Sequence, residues 1–281
     1  MLNGEMEKTK CVFLLGGFDG LHIGHKSLIE RAKTFRLPVV LMTIDGIKGG
    51  SLFTVEERES AFMRAGIDRV ALFDFAQIRD LDYRAFADLI TSRFDVAAFV
   101  CGEDFRFGRD AEGTPALLEK HTGIPVHAEP LLKINGAKVS STKLKAYLLI
   151  GDMPRANAML CEPYFIRGEV IKDRGIGKTL GFPTANIPYP DGKFELRKGV
   201  YHTEVTVDGK TYRGITNFGA RPTFGEDATT TETYLDGFAG DLYGRVVEVR
   251  FLRYLRGIKR FLSENELKKQ LEHDLWRVKN G

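Results

Sequence analysis

The sequence predicts a two-part protein: a parallel α/β domain, then a small antiparallel β-barrel closed by a C-terminal helix. Three observations carry this. Up to about residue 150, short apolar runs alternate with segments of helical spacing. Beyond it, strand-like runs follow one another between Gly, Pro, Asp and Asn. The last segment, SENELKKQLEHDLWRV, repeats leucine every four residues behind a capping-box start at Ser263. A length of 281 residues holds two ordinary domains.

In the first half, CVFLLG, VVLMTI, RVALFDF and VAAFVCG are β-branched and aromatic runs of strand length. Between them HKSLIERAKTF, TVEERESAFMRAG and DYRAFADLITSRF carry apolar residues at helical spacing, and Thr54 with Glu57 forms a capping box for the second. Strand alternating with helix implies right-handed crossovers and a parallel sheet covered on both faces, a nucleotide-binding domain of Rossmann type. A short helical stretch, GDMPRANAML, leads to YFIRGEVI, GVYHTEVTV, KTYRGITNF, TTTETYL and GRVVEVRFLRYL, which predict the antiparallel barrel. The boundary is expected between Ile150 and Pro163, giving domains 1–155 and 156–281.

Composition excludes several classes. A net charge of +3 is too small to argue for nucleic acid, and RFLRYLRGIKRF at 250–261 alternates arginine with apolar residues as a half-exposed strand would. Cys11, Cys101 and Cys161 are odd in number and far apart, which indicates neither a disulfide framework nor a zinc site. No segment approaches the length of a membrane span, and the N-terminal apolar run is too short for a signal peptide, so a cytoplasmic protein is expected.

The stretch GGFDGLHIGH, Gly16 to His25, sits where the first strand turns into the first helix. Glycine weakens both helix and strand, so four of them here signal a close approach to the backbone, at Gly17 among others. Ligands of open α/β sheets bind at the carboxyl ends of strands, and helix N-termini favour anions. His22 and His25, three apart, can both face that point and donate hydrogen bonds to phosphate oxygens, with Asp19 in the same turn.

H-x-G-H at such a turn resembles the signature of the nucleotidyltransferase superfamily. The longer GGFDGLHIGH, with GEDFRFG at 102–108, VSSTKLK at 139–145, LGFPTANI, NFGARPTF, TETYL and DLYG in that order, resembles the prokaryotic bifunctional riboflavin kinase/FMN adenylyltransferase (FAD synthetase) family over nearly the whole chain. The resemblance implies a nucleotidyltransferase domain that joins ATP and FMN to give FAD and pyrophosphate, and a riboflavin kinase domain behind it. The FMN phosphate is already anionic, so adenylyl transfer needs positioning and charge stabilisation at the α-phosphate, a task suited to His22 and His25. Ser140, Ser141 and Thr142 offer hydroxyls at a helix N-terminus, and Lys145 adds a positive charge one turn on. Gly102 and Asp104 would shape the base pocket, with Phe105 and Phe107 packing on rings.

For the kinase half, Lys172 to Thr179 fails as a P-loop, since Lys172 stands where glycine is required. A Gly-rich flap over ATP phosphates, with Gly177 and Lys178, is the better reading. Thr184 and Asn186 place a hydroxyl and an amide oxygen on one face of a strand, hard donors suited to Mg²⁺ shared with ATP. By the resemblance Glu232 is the base for the riboflavin hydroxyl, and Arg221 supports the phosphates or the flap. Two places depart from the family: Thr43 to Lys48 stands where a Pro-His-Pro element is usual, and Lys145 stands for an arginine, without its bidentate fork. They leave an alternative, a working riboflavin kinase whose N-terminal domain is a weak or inactive flavin-nucleotide binding or regulatory module.

Overall fold

The structure is a computed structural model that describes residues 9–47, 49–134, 136–172, 184–221 and 226–280. The chain forms two compact units that divide between Ser141 and Thr142.

In the first unit, β1 (Cys11–Leu14), β2 (Val39–Asp45), β3 (Arg69–Asp74), β4 (Val96–Gly102) and β5 (Val126–Glu129) form one sheet in the order β3-β2-β1-β4-β5, with every pairing parallel. Helices α1 (Ile23–Lys33), α2 (Val55–Arg64), α3 (Phe75–Ile78), α4 (Tyr83–Arg93) and α5 (Pro115–Thr122) connect them. All four residues of β1 are buried, as a central parallel strand requires. Alternate residues feed two cores: Phe13 joins Phe86, Ile90 and Phe99, while Val12 and Leu14 join Leu28, Leu41 and Phe62. The predicted capping box of α2 is present, with the Glu57 amide donating to Thr54 Oγ1 at 3.2 Å and the Thr54 amide to Glu57 Oε2 at 2.9 Å. Strand order reverses between β1 and β4, and that reversal opens a crevice at their carboxyl ends.

A two-stranded ribbon, β6 (Lys133–Ile134) with β7 (Ala137–Lys138), precedes α6 (Ser141–Ile150) and α7 (Met153–Met159). In the second unit, β8 (Phe165–Glu169), β9 (Thr184–Pro188), β10 (Gly199–Val207), β11 (Lys210–Arg221), β12 (Glu226–Leu235) and β13 (Val246–Arg256) form an antiparallel sheet in the order β8-β13-β10-β11-β12-β9. The Ile171 amide donates to the Asn186 carbonyl at 2.9 Å, which brings the two edges together and nearly closes the barrel.

One face of this sheet is core: Tyr201, Phe218 and Phe251 pack there, and Thr203, Thr216 and Thr233 link their hydroxyls at 2.8 and 2.9 Å with none exposed. On the opposite face Val200, Ile215 and Leu255 pack under Leu275 and Val278 of α8 (Glu264–Asn280). Arg256 bridges to the fully buried Asp274 of α8 at 2.8 Å. Arg250 pairs with Glu248 and Glu162 at 2.8 and 3.4 Å. The basic run from Arg250 to Arg256 is a half-exposed strand, as its alternation predicts, and its arginines also anchor the last helix and the strand edge.

Candidate functional site

His22 is the N-cap of α1, and its amide donates to His25 Nδ1 at a long 3.5 Å. The two rings stack, centroids 3.5 Å apart and planes at 17°, and the Phe18 ring lies 4.3 Å from His25 on the same stack. Burial pushes the His22 pKa down to about 4, and the Lys138 charge adds to the effect. Burial and the neighbouring His22 hold His25 well below the usual range, against a backbone hydrogen bond at Gly20. With both pKa values lowered, the two rings are neutral at pH 7 and offer N–H dipoles rather than positive charge. His22 Nδ1 is buried with no partner among the described residues.

The glycines divide by purpose. A Cβ at Gly16 would lie 2.7 Å from the Phe18 ring, and one at Gly20 would lie 2.6 Å from the Phe53 ring, so these two answer to the protein's own packing. Gly17 alone faces open space, which makes it the point of free approach to the backbone. Asp19 is buried and its Oδ1 accepts from the Leu52 amide at 2.8 Å, so it shapes the turn from within.

Across the strand reversal, GEDFRFG leaves the end of β4, so both loops sit at the carboxyl ends of the two switch-point strands. Phe107 is 6% exposed and packs on Phe86, which corrects its reading as a ligand-facing ring: it is core. Phe105 is partly buried, stacks on Phe107 at 5.5 Å and packs against the same core. Asp104 is exposed beside Gly102 and pairs with Lys138 of β7. Lys138, the residue before VSST, carries no local sequence signal of this pairing. Ser140 immediately precedes α6, Ser141 and Thr142 open it, and Lys145 lies one turn on, its Nζ 5.4 Å from the Phe194 ring centroid.

In the second unit, β12 pairs with β9 in the register Glu232↔Asn186 and Tyr234↔Thr184, and β11 pairs with β12 in the register Asn217↔Glu232. Asn217, Glu232 and Asn186 thus form one row on the face opposite the threonine core. Thr184 Oγ1 donates to Glu232 Oε1 at 2.9 Å, and Asn186 is 6% exposed. Two residues expected to bind metal and the expected base come together here from strands 48 positions apart. Asn217, the first residue of NFGARPTF, is a member of the row that the sequence reading did not single out. Arg221 ends β11 opposite Glu226. Gly177 and Lys178 lie outside the described residues.

Two family models match the chain: FAD synthetase over residues 4–143 and riboflavin kinase over residues 160–280. The chain is 32% identical to the bifunctional riboflavin kinase/FMN adenylyltransferase of Pseudomonas fluorescens, covering 97% of this chain and 93% of that protein. It is 32% identical to the enzyme of that name from Escherichia coli K12, over 94% of this chain and 90% of the relative, and 30% identical to that from Bacillus subtilis, over 95% and 91%. Its fold also matches a crystal structure of a protein called a macrolide-efflux protein from Streptococcus pneumoniae, with a TM-score of 0.87, 28% identity, and 98% and 96% of the two chains covered. Among the described residues of this chain, no helix is long and apolar enough to cross a membrane. With both halves matched in the expected order and 32% identity to two of these relatives over nearly the whole chain, the chain belongs to the bifunctional riboflavin kinase/FMN adenylyltransferase family.

Proposed function

We propose that the chain's two reactions run at two separate sites, the second unit phosphorylating riboflavin and the first adenylylating the FMN so formed. As a member of its family, the chain converts riboflavin to FMN and FMN to FAD, with ATP as co-substrate in both steps. The observation that carries the assignment is the meeting of Thr184, Asn186 and Glu232 on one sheet face.

In the kinase step, Glu232 accepts the proton of riboflavin's primary hydroxyl as that oxygen attacks the γ-phosphorus of ATP, and the bond from that phosphorus to ADP breaks. The Thr184 hydroxyl donates to the carboxylate and fixes its orientation. The hydroxyl of Thr184 and the amide oxygen of Asn186 are hard donors beside a carboxylate, a set that fits Mg²⁺, and these two residues would hold it. Such an ion, when bound, neutralises charge across the β- and γ-phosphates. Gly177, Lys178 and Arg221 complete the phosphate contacts in this reading.

In the adenylyl step, an FMN phosphate oxygen attacks the α-phosphorus of ATP and the bond to pyrophosphate breaks. His22 and His25 donate N–H dipoles to the α-phosphate. Gly17 admits the triphosphate. Ser140 and Ser141, at the end of the first unit, receive its outer phosphates in this reading. Asp104, Gly102 and Phe105 border the flavin and base in this reading. Neither a nucleic acid nor a membrane is required, and the cytoplasm is the proposed compartment.

The test is one incubation of the purified chain with riboflavin, ATP and Mg²⁺, the flavins being separated by chromatography. FMN followed by FAD is expected. FMN alone would favour the alternative in which the first unit only binds or regulates, and neither product would sink the reading.

A further inference from the structure

Arg58 lies in the middle of α2 with 1% of its surface exposed, an unusual place for a guanidinium. Burying that cation is costly unless it is paired and hydrogen-bonded. Its ion partner, Asp45, is itself half exposed at 3.2 Å, and Arg58 Nε has no partner among the described residues. Packing alone would be served by an apolar side chain, as at Phe62 one turn along.

The hydrogen bonds give the reason. Arg58 Nη1 donates to Thr43 Oγ1 at 2.9 Å and to the Ile44 carbonyl at 2.8 Å, and Nη2 donates to Asp45 Oδ1 at 3.2 Å, three successive residues at the carboxyl end of β2. Arginine can only donate, and a threonine hydroxyl carries a single proton. Because Thr43 Oγ1 already accepts from Arg58, its proton is left for the loop beyond β1, where the Phe18 carbonyl lies at 3.1 Å and the Gly17 carbonyl at 3.4 Å. The Ile44 amide donates to the Gly17 carbonyl as well, at 3.2 Å.

Phe18 needs that support. Its φ is +38°, in a region where a bulky residue is strained and persists only when its surroundings over-determine it. The same residue sets its ring against His25, which stacks on His22. The chain of contacts therefore runs from guanidinium to hydroxyl, to strained carbonyl, to ring, to the histidine pair. We propose that Arg58, acting through Thr43, is a positioning residue for adenylyl transfer, fixing Phe18 and with it the presentation of His22 and His25. The proposal rests on the reading of the first unit as the adenylyltransferase.

The experiment compares the full chain with its Thr43→Val, Thr43→Ser and Arg58→Lys variants. It reads kcat and KM for FAD formation from FMN and ATP, the rate of FMN formation, and backbone hydrogen exchange over residues 16–22. Thr43→Val is expected to lower kcat for FAD about tenfold or more with KM within about twofold. Exchange over 16–22 should quicken while FMN formation holds, and Thr43→Ser should restore both. A parental kcat and unchanged exchange in Thr43→Val would overturn the proposal, as would a KM rising in step with the loss. If Thr43→Val does not fold, Arg58→Lys carries the test, and a parental kcat in it has the same force. A parent that makes no FAD would defeat the adenylyltransferase reading itself, and loop exchange would then decide the Arg58 link alone.

Discussion

Thr184 and Glu232 lie on neighbouring antiparallel strands, and the threonine hydroxyl donates to the carboxylate at 2.9 Å. That hydrogen bond fixes the carboxylate's orientation, as the base proposed for the kinase step requires. Glu232→Gln keeps the shape and removes the base, so FMN formation should fall by about 10²–10⁴-fold. Circular dichroism should show an unchanged fold. Near-parental turnover in this variant would remove Glu232 from the role.

Thr184→Ala and Asn186→Ala take away one hard oxygen donor each. Both should raise the Mg²⁺ concentration needed for half-maximal FMN formation, and Asn186→Ala also leaves a void, since that side chain is 6% exposed. Titration of activity with Mg²⁺ checks this. Identical metal dependence in parent and variants would discard the metal assignment.

His22→Ala and His25→Ala should each suppress FMN-to-FAD conversion by about 10²–10³-fold, roughly 2.7–4 kcal/mol, the usual loss for one preorganised donor. Riboflavin-to-FMN conversion should continue at nearly the parental rate. A parallel fall of both rates would make the histidines structural.

The His22 pKa of about 4 has a consequence for stability. Between pH 4 and the ordinary value of 6.5 the unfolded chain binds more protons at this ring than the folded chain does, so stability rises with pH across that window. The contribution is complete above pH 6.5 and is lost as pH falls towards 4; His25 acts in the same direction. Hydrogen exchange in β1, measured at pH 7, 6 and 5 after correction for intrinsic rates, should show protection decreasing, and His22→Gln should flatten the trend. Equal slopes would exclude His22 as the source.

Asp274 is fully buried and holds Arg256 of β13. Asp274→Asn leaves a mostly buried guanidinium without its counter-charge, a change that typically costs about 3–5 kcal/mol. Urea unfolding followed by far-ultraviolet circular dichroism reads the loss, since Asp274 lies on the 17-residue helix α8. A midpoint shift smaller than about one-fifth of that energy would mean the pair is solvated in solution.

Local signals in the sequence carried far. Thr54 and Glu57 specify a helix start that the structure forms bond for bond, and the apolar run of β1 reads directly as a buried strand. What pairs with what is a different matter. That β1 lies between β2 and β4, or that Glu232 faces Asn186, depends on contacts between distant residues that periodicity does not encode. Arg58 is hidden within EERES, a charged run in which Glu56 and Glu59 are exposed. Thr54, Arg58 and Phe62 are four apart and share a face, and Phe62 is fully buried, so the phase itself points Arg58 inwards. Phe107 went the other way, since an aromatic in a glycine-flanked loop carries no local sign that it packs on Phe86.

The near-closure of the barrel through Ile171 and Asn186 bears on how the chain is made. The first two barrel strands to leave the ribosome, β8 and β9, are the two edges of the sheet, and their ladder partners β13 and β12 are translated only later. Until then both present unpaired backbone, the condition in which strands pair wrongly with other chains. Thr184 and Asn186 wait on β9 for Glu232, and Asn186 also supplies the carbonyl that joins the edges. By the role proposed for these three residues, FMN-forming activity during synthesis would first appear only once β12 has been made and has paired with β9.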